Sequence, residues 1–311
     1  MTDQPTHALL KDLFEDTPNL PLGFEIFPPR TPAARAALRD TVMHLAAAAP
    51  DHFSVTMGAG GTIRTGTHET SVEVMRATGT PVIAHLTALG LSRAEIDETA
   101  DAFWAEGIHG ILALRGDAPQ DPAAAARPVS YHHATGLVAA LRARHDFHIT
   151  VAAYPEKHPE AGTLEEDVDH LKEKLDAGAS AAICQFVLNP EVYGRFLDLC
   201  AARGITAPIV PGVMPLDDWS RVRKFAVRTG ATVPPWLDRF FAHMDAAPEL
   251  APLLGTAATL EHLRRLVAYG APALHVYTLN RWAVPLALAR AIGRPCDGLA
   301  DLPRPAPPQA G

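Results

Sequence analysis

Cysteine is scarce in this chain. Its 311 residues hold three, Cys184, Cys200 and Cys296, and none of them forms a Cys-x-x-Cys pair. An odd, widely spaced set argues against a disulfide framework and fits a reducing, cytoplasmic compartment. Long apolar runs are also missing, and nothing approaches the roughly 20 uncharged residues of a membrane span. The first residues carry Asp3, Lys11, Asp12, Glu15 and Asp16 and lack the apolar core of a signal peptide. Positive charge is in deficit: 27 Lys and Arg face 35 Asp and Glu, for a formal net charge of -8. That balance disfavours a partner with a phosphate backbone, so no nucleic acid is expected. Two motifs are absent as well. No Gly-x-Gly-x-x-Gly run follows a strand, as a doubly wound dinucleotide fold would show. No His-Glu-x-x-His occurs, the 15 histidines show no zinc spacing, and adjacent His132 and His133 cannot easily chelate from one face. No metal is expected.

What the chain does have is a regular alternation. Eight short apolar runs read as buried parallel strands: Leu22–Phe27, Phe53–Met57, Val82–Thr87, Gly110–Leu114, Ile149–Ala153, Ala182–Phe186, Pro208–Gly212 and Ala273–Tyr277. Amphipathic stretches lie between them. Ala33–Ala48 follows Thr31-Pro32, an N-cap and a first-turn proline. Ser92–Glu106 opens with a capping box. Leu164–Ala177 and Tyr193–Arg203 end at Gly178 and Gly204, in the manner of helix C-termini. Thr232–Gly255 reads as an inserted helix and loop. Eight strand–helix units predict an α/β fold, a single-domain (β/α)8 TIM barrel over residues 19–296. An N-terminal extension (1–18) and a Pro/Ala-rich tail (297–311) flank it. An open doubly wound sheet is the alternative.

A barrel places its reactive groups at the C-terminal ends of its strands. Glu25 lies in Gly-Phe-Glu-Ile-Phe-Pro-Pro-Arg, on the face opposite Phe24 and Ile26, and so points into the barrel. Apolar surroundings would favour a protonated carboxyl there, as a general acid needs; a strand acid paired with Arg30 is the plainer reading. Thr56 and Met57 run into a Gly-rich loop. His85 sits on an apolar strand, where core histidines are common. Arg115, Gly116 and Asp117 put a cation, a flexible point and an acid after strand four. Tyr154-Pro155-Glu156-Lys157-His158 follows strand five. Gln185 is a polar residue in a buried strand and needs partners. Cys184 beside it reads as a buried thiol. Tyr277 and Arg281 close the series.

Taken together, these segments resemble the methylenetetrahydrofolate reductase family in its short bacterial form. The matching runs are Phe24-Glu25-Ile26-Phe27-Pro28-Pro29, Ser54-Val55-Thr56, His85-Leu86-Thr87 and Ile111 to Asp117. They continue with Tyr154-Pro155-Glu156, His158-Pro159-Glu160-Ala161, Asp176-Ala177-Gly178-Ala179, Gln185-Phe186, Pro211-Gly212 and Tyr277-Thr278-Leu279-Asn280-Arg281. They follow family order over about residues 20–293. The resemblance implies a barrel that binds FAD without a Rossmann motif. It takes hydride from NADH or NADPH and reduces methylenetetrahydrofolate to methyltetrahydrofolate. It assigns Glu25 as the acid, with Asp117 facing the pterin. Gln185, Arg221, Phe225, Tyr277 and Arg281 fall on the substrate side. Thr56, Met57, His85, Arg115, Gly116, Asp117, His133, Ala134, Tyr154, His158, Asp167, His170 and Lys174 fall on the flavin side. A homo-oligomer is expected, and no regulatory domain after the barrel.

The resemblance is not uniform. Met57 stands where the family usually has Tyr. Tyr131-His132-His133-Ala134-Thr135-Gly136 replaces a more usual Tyr-Ala-Ser-Asp run. His170 and Glu173 stand where Asn and Arg are common, and Arg221 replaces a common Gln. Most of these positions are on the flavin side, and Glu173 brings negative charge, so weaker FAD binding is expected. Three alternatives stay open: a flavin-independent variant, a silent folate- or flavin-binding barrel, and a lyase with a Schiff-base lysine. The last would need a Lys within a strand, and none of the eight strands has one. The sequence chooses neither between NADH and NADPH nor between the two directions of the reaction.

Overall fold

All eight apolar runs form strands in the computed structural model, which describes residues 20–57, 64–116, 129–242 and 248–295. They are β1 (Leu22–Ile26), β2 (His52–Val55), β3 (Val82–Thr87) and β4 (Gly110–Leu114). Then come β5 (His148–Ala153), β6 (Ala181–Phe186), β7 (Ile209–Val213) and β8 (Leu274–Tyr277). Each pairs in parallel with the next, and β8 pairs with β1. A doubly wound sheet keeps two open edges; this sheet has none, so the expected (β/α)8 barrel is the fold.

Ten helices are described: α1 (Pro32–Ala46), α2 (Arg64–Thr78), α3 (Arg93–Ala105), α4 (Ala134–Arg144) and α5 (Leu164–Asp176). The others are α6 (Pro190–Ala202), α7 (Trp219–Thr229), α8 (Pro235–Phe240), α9 (Ala251–Ala268) and α10 (Ala283–Ala291). Local chemistry sets their ends. The Thr31 hydroxyl accepts from Ala34 N at 3.1 Å, with Pro32 in the first turn. Ser92 and Thr163 each form a capping box, with Glu95 and Glu166. α6 starts at Pro190, before the expected Tyr193, because the Asn189 side chain accepts from Glu191 N and caps it earlier. In the β7–β8 connection, the segment Thr232–Gly255, read as an inserted helix and loop, contains α8 and the start of α9. On α9 the Thr259 hydroxyl accepts from Leu216 N at 2.9 Å, and His262 Nε2 donates to Val187 O at 2.8 Å. The insertion thus pins the loops after β6 and β7, beside the barrel mouth.

Strand alternation separates the core from the barrel interior. On β1, Leu22, Phe24 and Ile26 are buried, and Phe24 packs against Phe53 of β2. Burying one such side chain contributes about 1.5–3 kcal/mol. Gly23 and Glu25 take the opposite face. Barrel interiors are usually filled by branched apolar residues, yet here β1, β2, β3 and β8 send in Glu25, His52, Ser54, His85 and His275. Their polarity marks one side of the barrel as a site.

α5 carries four cavity-lining side chains, so its N-cap matters to the site as well as to stability. Thr163→Ala is expected to cost about 1 kcal/mol. Urea denaturation should show a lower midpoint with an unchanged slope; an unchanged midpoint would remove the cap from the account.

Candidate active site

A cavity of about 530 Å³ opens at the C-terminal ends of the strands. Glu25 forms part of its floor. The fully buried His275 places Nε2 3.2 Å from Glu25 Oε2, so the ring nitrogen can donate to the carboxylate. His85 Nε2 lies 3.6 Å from the same oxygen, within reach of a charge pair but beyond a hydrogen bond. The backbone of Glu25 is held too. Thr278 donates to Glu25 O through N (3.1 Å) and Oγ1 (2.7 Å). The Asn280 side chain brackets Phe27, accepting from its N and donating to its O, both at 2.9 Å. To do so the chain turns through left-handed backbone at Leu279 and Asn280, with φ of 52° and 55°.

One wall comes from β2 to β5 and the helices after β4 and β5. Thr56 and Met57 lie just past β2, and Arg115 and Gly116 just past β4. Gly116 has φ 88°, and a Cβ there would press on the Thr87 side chain, so glycine fits this point on two counts. His133 and Ala134 start α4, with the His133 ring 6.2 Å from that of His170 on α5. Tyr154 stacks edge-on against His158, and the buried Asp167 accepts from His158 N at 2.7 Å. Lys174 Nζ donates to Ala152 O at 2.7 Å, and burial pulls its ammonium down to about 8. Arg115 forms a two-pronged pair with Glu160, one contact at 2.7 Å.

The opposite wall holds Gln185, Cys184, Met214, Phe225 and Tyr277. Tyr277 donates to Cys184 O at 3.3 Å, and burial raises both its phenol and the Cys184 thiol well above their usual ranges. Cys184 is therefore a buried thiol, as read from sequence. Phe225 stands between this cavity and a second one of about 420 Å³, which takes in Arg221, Lys224 and Arg228. Arg228 lies over the Phe225 ring, 4.3 Å from its centre.

Sixteen of the residues singled out from sequence thus line one cavity: Glu25, Thr56, Met57, His85, Arg115, Gly116, His133, Ala134, Tyr154, His158, Asp167, His170, Lys174, Gln185, Phe225 and Tyr277. Two are placed elsewhere. Arg221 lines the second cavity, and the half-exposed Arg281 pairs with Asp217 at 2.8 Å. Asp117 and the Gly-rich loop after Met57 lie outside the described residues. Sequence reasoning missed His275, which touches Glu25, and His52, whose ring stacks on His275 with centroids 6.0 Å apart. The signal was available: both histidines occupy the same strand alternation that pointed Glu25 inward. Among the described residues, no group of three or more His, Cys, Asp or Glu is arranged to hold a metal. No described helix is long and apolar enough to cross a membrane.

An inward carboxylate flanked by two imidazoles and a buried cation thus line one strand-end cleft of a closed (β/α)8 barrel. The model of the methylenetetrahydrofolate reductase family matches residues 10–293. The chain is 38% identical over 286 residues to the 5,10-methylenetetrahydrofolate reductase of Pectobacterium carotovorum, covering 92% of this chain and 94% of that relative. It is 36% identical over 286 residues to the Escherichia coli protein of the same name, covering 92% and 95%. This chain belongs to the methylenetetrahydrofolate reductase family. Among solved structures, an uncharacterized Clostridium thermocellum protein that binds two copies of 5-methyl-5,6,7,8-tetrahydrofolic acid aligns with a TM-score of 0.58 at 13% identity. It covers 92% of this chain and 98% of its own, a likeness of fold.

Burial holds three imidazoles neutral: His52 falls from 6.5 to about 3, and His85 and His262 to about 4. The unfolded chain binds protons that these folded sites refuse, so their contribution is full above pH 6.5 and drains away as pH falls toward about 4. Urea midpoints measured across that range should drop steeply. His262→Gln, which keeps a donor for Val187 O, should flatten the slope. An equally steep profile in that variant would contradict the assignment.

Proposed function

We propose that this chain reduces 5,10-methylenetetrahydrofolate to 5-methyltetrahydrofolate, with NADH or NADPH as hydride source and FAD as resident cofactor. The observation that carries the reading is Glu25, fixed on the cavity floor against His275 in a chain of this family. Opening the substrate's five-membered ring requires a proton on the departing nitrogen, N10. Glu25 is the acid placed to give it, since its backbone is clamped from the β8 loop and its carboxyl faces the cavity. The opened ring leaves an iminium carbon on N5 that accepts hydride. Gln185 presents an amide suited to a pterin edge, and Phe225 an aromatic face for stacking. Asp117 is assigned to the pterin by the family resemblance. Arg281 and Arg221 would act on the outer part of the substrate, Arg281 after exchanging its bond to Asp217.

The residues present fit FAD. The cleft is open at the strand ends, Gly116 lines it, and the buried His85 Nε2 has no hydrogen-bond partner among the described residues. Thr56, Met57, His85, Tyr154, His158 and Asp167 would surround the flavin end. Arg115, Lys174, His133, Ala134 and His170 would serve the ribityl and phosphate end. When bound, FAD supplies hydride to the folate carbon after receiving it from the nicotinamide. Glu173 lines the same cavity as Lys174 and His170 and would oppose a pyrophosphate held there. Glu173→Gln is therefore expected to tighten FAD binding by about two- to fivefold, the scale of one exposed charge contact. Flavin fluorescence titration of the apoprotein measures this; unchanged affinity would place the phosphates elsewhere.

The proposal is tested by the visible spectrum. The purified protein should carry a flavin that NADH or NADPH bleaches without oxygen, and methylenetetrahydrofolate should restore the colour. Glu25→Gln should stop the recolouring step while bleaching continues. A colourless protein that still reduces folate would replace the flavin with direct hydride transfer. One that neither binds flavin nor oxidises nicotinamide in the presence of folate would sink the reading.

A further inference from the structure

Glu25 must be reloaded after each turnover. The overall reaction proposed above consumes one proton: NAD(P)H, H+ and the methylene substrate give NAD(P)+ and the methyl product. Glu25 spends that proton when the N10–carbon bond breaks and the N10–H bond forms. A ligand seated in the cleft lies over Glu25 and separates it from solvent at the mouth. The interior beneath Glu25 is where the barrel is unusually polar.

The register fixes that layer. Gly23 of β1 lies opposite His52 of β2 and His275 of β8, while Glu25, two residues further on, lies opposite Ser54 and Tyr277. His52 and His275 are therefore one layer below the acid, toward the N-terminal end of the barrel. Gly23 makes their meeting possible, because a Cβ there would overlap the His52 ring. The two rings stack with centroids 6.0 Å apart and planes 20° apart. His275 Nε2 reaches Glu25 Oε2 at 3.2 Å. Its other nitrogen, Nδ1, is buried without a partner among the described residues, and so are His52 Nε2 and Ser54 Oγ. Buried polar atoms rarely stay unsatisfied, and two in this layer with a third in the layer of Glu25 call for an explanation. His52 is the first residue of β2 and only half-buried, and the exposed Asp51 precedes it, so the layer leads out to solvent.

We propose that His52 and His275 form a proton path that reloads Glu25 from the N-terminal end of the barrel. The inference rests on Glu25 being the acid. His275 gives its Nε2 proton to the Glu25 carboxylate and takes one up at Nδ1, then returns to its first tautomer. His52, together with one water bridging its Nε2 and His275 Nδ1, supplies that second proton from bulk solvent. Such a water would satisfy both unpartnered nitrogens. Burial and the nearby His275 keep the His52 ring neutral, against the pull of Asp51, so its lone pair is free to accept. His275 acts through Glu25 and is a positioning and relay residue.

The experiment compares His52→Leu, His52→Ala, His275→Gln and Glu25→Gln as flavin-loaded enzymes, following flavin bleaching and recolouring separately by stopped flow. The path predicts that His52→Leu and His275→Gln slow recolouring at saturating folate by about tenfold or more. KM for folate should hold, bleaching by the nicotinamide should serve as the internal reference, and the solvent deuterium isotope effect on recolouring should rise. Imidazole should partly rescue His52→Ala, since the space over Gly23 can admit it, and should leave the unaltered enzyme unchanged. Wild-type recolouring with an unchanged isotope effect in both His52 variants would overturn the path, even if His275→Gln is slow or does not fold. Glu25→Gln separates the two claims. If it still recolours, the acid assignment and the path fall together. If it alone is blocked, the acid stands and the path is overturned.

Discussion

The seam where β8 pairs with β1 brings residues 250 positions apart into contact, and the site's geometry depends on it. Closure puts His275 against Glu25. It also lets the loop after β8 clamp the backbone of Glu25 and Phe27 through Thr278 and Asn280. In the proposed role Glu25 protonates one nitrogen, which demands that it be held within a fraction of an ångström. Here the strand fixes its direction, the neighbouring loop fixes its backbone, and an imidazole fixes its carboxyl. Two left-handed residues, Leu279 and Asn280, are the conformational cost of that clamp.

The electrostatics of the cleft divide between the β1–β3 side and the wall formed after β4 and on α5. On the β1–β3 side, burial keeps His85 and His52 neutral, so the groups near Glu25 can exchange protons without adding fixed charge. On the far wall Lys174 is buried with a carbonyl partner, and Arg115 is paired at the rim. Fixed charge thus gathers at one end of the cavity and proton-carrying groups at the other. That separation agrees with the proposed reading, in which one end would hold an anionic cofactor and the other would protonate the substrate.

Much of this was legible in the sequence. Short apolar runs bounded by Gly and Pro located all eight strands to within a residue or two, because a strand buried on both faces leaves few other patterns. Alternation was enough to turn Glu25 inward, while polarity within a buried strand singled out Gln185 and strand-end position singled out Tyr277. What the sequence hid was partnership between distant strands. His275 reads as one histidine among 15 until β8 is laid against β1. Arg281 directly follows the strand-end loop, yet its side chain is committed to Asp217. Arg221 belongs to a neighbouring cleft because α7 offers it on the far side of Phe225. The sequence did not place the start of α9 within its inserted segment, since a proline-rich stretch reads as loop even when its last proline opens a helix.

Three of the positions that set this chain apart from its family pattern lie together on one wall, whereas Met57 lies past β2 and Arg221 on α7. His133 stands at the start of α4, and His170 and Glu173 on α5, all along the wall that carries the buried cation. Glu25, Gln185 and Tyr277 lie on β1, β6 and β8 and keep the family residues. None of the three departures shares a hydrogen bond with Glu25 or with the loop that clamps it, among the described residues. Separate elements can change without disturbing one another's geometry when no contact links them. A barrel built this way can therefore vary the α4–α5 wall of its cleft while Glu25, fixed at the β1–β8 seam, stays in place.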